Sequence, residues 1–389
     1  MAIIYLYRFL GRGETFTGNQ IRATNKGAEI EFIERLDQVG DFRLLLPATD
    51  AICSDLREDY IIGIDGKYYG IIRYARQVTE QGNNYVEVGG EDLKGYLGQV
   101  ITLYPTESIA EGLQGYDAIN HAATETVVKY FVNRNIVNPS NPKRKIQGFQ
   151  IAEDQKRGNQ DDQYMSRFEP LNELCQKNLN AVKMGYSVKM DLLGNNLVFD
   201  VIQGKQRTWE QYGENRVVFD VEAGALESLE YLRSQRNYRN AFYASLSGGA
   251  NEAETLTCLC FRDGEEEPEG AERKEQHLNV SINADPETLF EQMKKYALKD
   301  AESYDKAETL TGRSTERYIY EKDYCLGDFV TLRTQGGLLG SWEAAINVQV
   351  TAVTHQWTKS GIVLNIPEFG GGKLNKFGLL KRQIRNGGS

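Results

Sequence analysis

No apolar run in this sequence approaches the roughly 20 residues that a membrane-spanning helix needs, and the opening MAIIYLYRFLGRGE lacks both the basic segment and the small-residue cleavage site of a secretory leader. A chain made in the cytoplasm, without stable membrane association, is the expectation. A basic excess is also missing. Lys and Arg number 45 against 55 Asp and Glu, for a net charge of −10 and a pI near 5.1, which argues against diffuse attraction to nucleic acid or anionic lipid. Cysteine is sparse and odd in number, with Cys53, Cys175, Cys258, Cys260 and Cys325 scattered along the chain, so no disulfide framework is expected. Cys258 and Cys260 in TLTCLCF fall on one strand face, but no C-x-x-C or nearby histidine completes a tetrahedral set. They are read as buried apolar thiols, and no metal is expected.

Histidine is scarcer still. His121 falls on an Ala-rich helical face with no acidic partner at metal-ligand spacing, His277 ends a charged loop, and His355 lies in a strand beside Trp357. G-x-S-x-G, H-E-x-x-H and Walker motifs are lacking, and GRGETF near Gly11 has the wrong spacing for a dinucleotide fingerprint. Glu222 with Glu227, or Asp161 with Asp162, can be drawn as glycosidase pairs. With 55 acidic residues such pairs arise by chance, so no catalytic residue and no cofactor is expected, and the chain is read as a non-enzyme.

What the sequence does hold is β-structure. Proline is rare (8) and glycine common (38), and the alternating segments are rich in Val, Ile, Tyr and Thr. One piece of this pattern occurs twice. EDYIIGIDGKYYGIIRYARQVTEQGNNYVEVG from Glu58 resembles KDYCLGDFVTL and EAAINVQVTAVTHQWTKSGIVLNIPEFG from Lys322. Asp59, Tyr60 and Gly63 match Asp323, Tyr324 and Gly327 at an offset of 264 (323 − 59), while Gln77, Thr79 and Gly82 match Gln356, Thr358 and Gly361 at 279 (356 − 77). Each copy is a strand leading into a hairpin, so the chain is expected to carry two related β-modules, six in a trimer.

Along the chain, residues 1–100 read as the first β-module, with ID-GK as a two-residue turn. Residues 101–210 read as a helical and α+β insertion. Thr106 caps a helical segment in which Ile109, Leu113, Ile119, Val127, Val128 and Phe131 recur, and LGNN turns two later strands. Residues 211–370 read as the second β-module with an inserted helix at 285–304, opened by Asp285-Pro286. Residues 371–389 form a basic arm, in which Lys373, Phe377, Leu380, Lys381, Arg382 and Arg385 are the candidate interaction residues. The fold class is α+β, mainly β, with two tube-type barrel modules and inserted α+β subdomains.

The order of GDFRLLLPA, KYYGIIRYA, TETVVKYFVNRNIVNP, MSRFEPLNELCQKN, MGYSVKMDLLGNNLVFDVIQGKQRT, LEYLRSQRNYRNAFYASLSG, DYCLGDFVTL, VQVTAVTHQW and IPEFG resembles the tail hub proteins of siphoviruses and their contractile-tail baseplate relatives. It is similar to the non-catalytic N-terminal part of tail-associated lysins, and departs from that pattern in closing soon after Phe369 without a lysin. The resemblance implies a homotrimeric, pseudo-sixfold ring at the tail tip, within the virion. Its implied partners are a distal tail or tail tube ring, a tape measure protein, and tip, spike or receptor-binding components, with DNA a transient passenger. Two alternatives remain from other classes. In one, Tyr68, Tyr69 and Trp357 form a sugar- or peptide-binding platform; in the other, the chain is a tail-associated cell-wall enzyme.

Overall fold

A computed structural model of the chain describes residues 2–8, 20–80, 83–105, 115–212, 215–246, 256–262, 266–280, 288–301, 304, 306–315, 317–334, 344–358 and 362–370. The chain divides into two units, one of Met1–Leu229 with Thr311–Gly370 and one built on Glu230–Leu310. In the first unit, β1 (Ile4–Tyr7), β2 (Gln20–Thr24), β3 (Glu29–Arg35), β4 (Asp41–Pro47), β5 (Ile61–Ile64), β6 (Tyr68–Glu80) and β7 (Asn83–Asp92) follow the alternation of the sequence. Asp65 and Gly66 both take positive φ (54° and 65°) between β5 and β6, the requirement of a type I′ turn.

A short helix α1 (Gly95–Gly98) leads to the insertion, which contains β8 (Asp117–Ala123), α2 (Thr124–Val132), β9 (Phe149–Ile151), β10 (Gln160–Ser166), α3 (Leu171–Ala181), β11 (Gly185–Asp191) and β12 (Asn196–Ile202). Here the helical reading is partly corrected. Asp117–Ala123 is a strand paired antiparallel to β10, so Ile119 and His121 lie on a sheet, while Val127, Val128 and Phe131 form the buried face of α2. Ile109 and Leu113 lie outside the described residues, as does Thr106.

Beyond β13 (Val218–Asp220), β14 (Leu226–Ser234) carries the chain into the second unit. That unit holds β15 (Ala241–Leu246), β16 (Thr257–Phe261), β17 (Glu275–Val280) and α4 (Leu289–Ala301). Its sheet runs β16-β15-β17, and Met293, Ala297 and Ala301 of α4 pack on Phe242, Ala244, Cys258 and Cys260. Both thiols are thus buried in an apolar layer, which pushes their pKa values up, that of Cys260 to about 11. The chain returns through β18 (Ala307–Ser314) to β19 (Phe329–Thr334), β20 (Ala344–Trp357) and β21 (Val363–Phe369).

The main sheet runs β14-β18-β21-β20-β3-β4-β7-β6-β5-β1-β2, with β19 on β20 and β13 on β19. The two expected barrels are not found as closed bodies among the described residues. Each hairpin module instead joins the other through β3 and β20, where Ile30–Arg35 pair with Trp357–Ala352, so the strands share one open path. Alternation then sorts the side chains between two cores. Ile62, Ile64, Ile72, Leu44, Leu46, Phe32 and Trp357 fill one. Ile61, Ile71, Tyr69 and Tyr7 pack from the opposite face onto Phe131, Leu174, Tyr186 and Phe199 of the insertion. Burial on both faces is why β5 reads IIGI without a polar residue.

The duplication is visible in the backbone. Ile61 pairs with Ile71 and Phe329 with Gln349, offsets of 268 (329 − 61) and 278 (349 − 71). A bulge interrupts β6·β7 between Ile72 and Tyr74, and another interrupts β20·β21 between Val350 and Ala352. The approach to each module is also the same. Asp59 N–H donates to Ile72 O and Ile72 N–H to Tyr60 O (both 2.8 Å), while Gly327 N–H donates to Val350 O (2.8 Å) and Val350 N–H to Asp328 O (2.9 Å). Asp59 and Gly327 both adopt positive φ, 66° and 93°. The sequence match therefore slips by four residues at its start: Asp59 corresponds to Gly327 and Tyr60 to Asp328, not to Asp323 and Tyr324. The hairpin-closing Gly82 and Gly361 lie outside the described residues.

Candidate functional site: the seam between the hairpin modules

The seam at β3·β20 is closed by a polar cluster under an aromatic cover. His355, on β20, has no exposed surface; its Nε2 lies 2.9 Å from Glu34 Oε2 and its Nδ1 2.8 Å from Asn365 Oδ1. Tyr320 donates to the same Glu34 oxygen (3.0 Å), and the Tyr68 ring lies 4.5 Å from the imidazole. Burial pushes the Glu34 carboxyl up, but the hydrogen bonds from His355 and Tyr320 outweigh it and hold the group below its ordinary range. Two residues along β20, Trp357 Nε1 donates to Asp65 Oδ2 (2.7 Å), tying β20 to the β5–β6 turn.

This arrangement settles the aromatic residues singled out in the sequence. Tyr68 and Trp357 are each only 7% exposed and meet edge to face at 5.4 Å; Tyr69 packs on Tyr7 at 6.1 Å and donates to Gly66 O. They hold strands together and do not form an open platform. His277 is on β17 rather than in a loop, 2.9 Å from Ser245 Oγ, and His121 is an exposed strand residue with φ 48°. The paired carboxylates fare no better as acid–base candidates. Glu227 faces Arg313 at 3.7 Å, Glu222 is exposed beside the turn after β13, and Asp161 and Asp162 are neighbours on β10.

Three further buried carboxylates are each held by three or more donors. Glu125 accepts from Arg157 (2.8 and 2.9 Å) and pairs with Lys129 at 2.7 Å; burial raises its pKa, yet these partners pull it down to about 2. Glu87 is held at about 2 in the same way, burial being outweighed by Arg76, Arg43 and Tyr74. Asp328 accepts from Arg207 Nε (2.7 Å) and from the backbone N–H of Lys205 and Cys325, clamping the segment between β12 and β13 to the start of β19. Carboxylates held by several charged or backbone donors are poor general bases, because a proton taken up would have to displace those donors. Glu368 is the contrast: burial pushes it up to about 7, with Arg35 the opposing charge. The described residues contain no cluster of His, Cys, Asp or Glu able to hold a metal ion.

Beside the seam opens a cleft of about 470 Å³, walled by Tyr68, Lys94, Tyr186, Met190, Tyr320 and Cys325. Its walls come from β6, the turn before α1, β11 and the segment before β19. None of these is near another in sequence, and the sequence reading missed Glu34, Asp65, Asn365 and Tyr320 for that reason.

A family model of the siphovirus ReqiPepy6 Gp37-like proteins matches residues 20–371. The chain belongs to that family. Among solved structures it is similar to the 43 kDa tail protein of prophage MuSo2 from Shewanella oneidensis, with TM-score 0.52 and 11% identity over 94% of this chain and 98% of that one. It is also similar to a tail protein from Neisseria meningitidis MC58 (TM-score 0.47, 11% identity, 95% and 96% covered). A third is prophage tail protein gp18 from Listeria monocytogenes EGD-e (TM-score 0.46, 11% identity, 99% of each chain). No curated protein matches the sequence at a significant level. At 11% identity the likeness to the MuSo2 protein concerns the fold, which is that of a phage tail protein.

Proposed function

We propose that this Gp37-like protein is the hub of a phage tail tip: a homotrimer whose three chains supply six hairpin modules in a pseudo-sixfold ring. The observation that carries the reading is the duplication, in which β5-β6-β7 and β19-β20-β21 share the same pairing, a bulge at the same place and a positive φ at the same position before their first strand. Two like modules per chain are what a threefold object needs to meet a sixfold tube. A single open sheet with both modules in it keeps them at a fixed spacing, and the His355–Glu34 and Trp357–Asp65 bonds lock that spacing at the seam. In this reading the barrels form around the modules on assembly. The ring joins a distal tail or tube ring and a tape measure protein to tip or spike components, and DNA passes through it. A net charge of −10 suits a channel through which a polyanion must slide. No enzymatic step belongs to the reading: the buried Glu125, Glu87 and Asp328 act as anchors for neighbouring Arg, Lys, Tyr and backbone donors.

Light scattering on the purified chain is expected to give three times the monomer mass, and negative-stain images a ring with six lobes around an opening. A monomer, or a closed dimer without an opening, overturns the hub. Release of sugars or peptides from purified cell walls overturns the non-enzymatic reading.

A further inference from the structure

One face of the insertion combines exposed aromatic rings with unpaired positive charge, on a protein that is acidic as a whole. Tyr116 is 53% exposed and Phe168 46%, and the guanidinium of Arg167 lies over both rings, 5.9 Å and 4.7 Å from their centroids. Phe168 is held in the left-handed region, φ 58°, by its N–H donating to Thr102 O at 2.7 Å. A bulky residue meets steric resistance there, and here the strain maintains an exposed ring rather than a buried one. The segment Ile101–Thr102 joins these rings to the turn Pro142–Arg144, Phe168 N–H donating to Thr102 O and Arg144 to Ile101 O, and that turn presents a run of cations. Lys143 and Lys145 are exposed, and the half-buried Arg144 donates only to Asn135 Oδ1 (3.1 Å) and Ile101 O; none of the three has a carboxylate partner among the described residues. Tyr104 and Arg134 line the same groove as Arg144.

The opposite pattern is found once more in the same sequence. In the segment EEEPEGAE after β16, Glu266, Glu269 and Glu272 are exposed, and their side chains have no ion pair among the described residues. We propose that the face around Lys143, Lys145 and Phe168 is a subunit–subunit docking surface, and that its occupant is the Glu266–Glu272 segment of a second copy of this chain. Three unpaired cations then meet three unpaired anions, and Pro268 and Ala271 of the incoming segment cover the rings. Arg, Tyr and Phe at the centre of a contact are the residue types that carry most interface energy, while complementary charge sets register and partner. The contact is heterologous, one patch meeting a different patch, which is the kind that closes into a threefold ring. The inference rests on the trimer reading and specifies one of its contacts.

The test compares the wild-type chain with three variants by light scattering across a dilution series. Lys143→Glu/Lys145→Glu is expected to weaken association by at least about 10-fold. Adding Glu266→Lys/Glu269→Lys to it is expected to restore association. Phe168→Gly removes the ring and relieves the backbone strain, so its thermal midpoint stays level or rises while association falls, a combination that a purely structural role for Phe168 does not produce. Carbodiimide, which joins lysine to carboxylate at zero length, is expected to link Lys143 or Lys145 to Glu266 or Glu269 between chains. A wild-type chain that stays monomeric overturns the inference together with the trimer. A wild-type trimer whose reversed-charge variant associates equally well overturns this contact alone. So does a failure of the compensating reversal to restore association, which would assign the face to a different partner.

Discussion

Glu368→Gln isolates a carboxyl beside the seam that burial drives up to about 7. Glu368 sits on β21 opposite Ala352 at the bulge and is 8% exposed. Arg35 is the opposing charge, but its guanidinium already donates to Asp41 Oδ2 (2.8 Å) and Val39 O (2.6 Å). The carboxyl is pushed up from 4.5 to about 7. At about 1.4 kcal/mol per pH unit, that difference corresponds to roughly 3 kcal/mol. The sign follows from proton counting. Between these values the folded chain keeps a proton that the unfolded chain releases, so stability is full below about pH 4.5, falls as pH rises, and levels off above about 7. Glutamine cannot ionise and removes this dependence. Urea midpoints for both proteins, measured at one fixed protein concentration from pH 4.5 to 8.5, are expected to diverge with rising pH. The variant gains up to about 3 kcal/mol relative to wild type by pH 8. A difference that stays constant across the window refutes the argument, because it would mean that Glu368 is ionised in the folded chain or finds a cation there.

Three further outcomes follow from the same structure. His355→Leu leaves the half-buried Glu34 and Asn365 without their shared partner and is expected to destabilise the chain by about 1–2 kcal/mol, read from chemical denaturation. Because the Glu34 carboxyl is held below its ordinary range, its stabilisation is present above the unfolded pKa and disappears as pH falls through the folded one; the variant should therefore lose less stability than wild type below about pH 4.5, while the shares of Glu87 and Glu125 remain. Gly327→Ala forces a side chain into φ 93° and should lower stability by about 1–2 kcal/mol, while Asp59→Gly at the equivalent φ of 66° should leave it level or raise it; equal losses from both would break the equivalence of the two modules. Truncation after Gly372 removes Lys373, Phe377, Leu380, Lys381, Arg382 and Arg385, which lie outside the described residues; we propose that this arm docks on a neighbouring subunit or tip partner, so the truncated chain should keep its circular dichroism spectrum and lose association, and unchanged association would exclude the arm from the interface.

How much of this was legible beforehand depended on whether the physical demand was local. The type I′ turn at Asp65-Gly66 and the burial of Cys258 and Cys260 on one face were readable, because both follow from neighbouring residues. The strand Asp117–Ala123 was read as helix because Ile119 falls at helical spacing from Val127 and Phe131. Its partner, Gln160–Ser166, lies some 40 residues downstream, beyond what local periodicity can sense. The seam was illegible for the same reason at greater range: His355 and Glu34 are 321 positions apart, and Tyr68 is 287 from His355.

The duplication shows a subtler limit. Identities drew the first match to an offset of 264, pairing Tyr60 with Tyr324 and Gly63 with Gly327, whereas the hydrogen bonds place Asp59 on Gly327. At the hairpin the identity of Gln77 with Gln356 is one residue out, since Gln77 pairs with Val86 as His355 pairs with Asn365 (355 − 77 = 278; 365 − 86 = 279). On a strand one residue is the difference between faces. An exposed glutamine in the first module thus corresponds to the fully buried histidine that closes the seam in the second. The backbone requirements were kept while the side chains diverged according to what each copy packs against, so a positive φ is met by aspartate in one copy and glycine in the other. Only the histidine copy faces β3, and only there does the sheet continue from one module into the next.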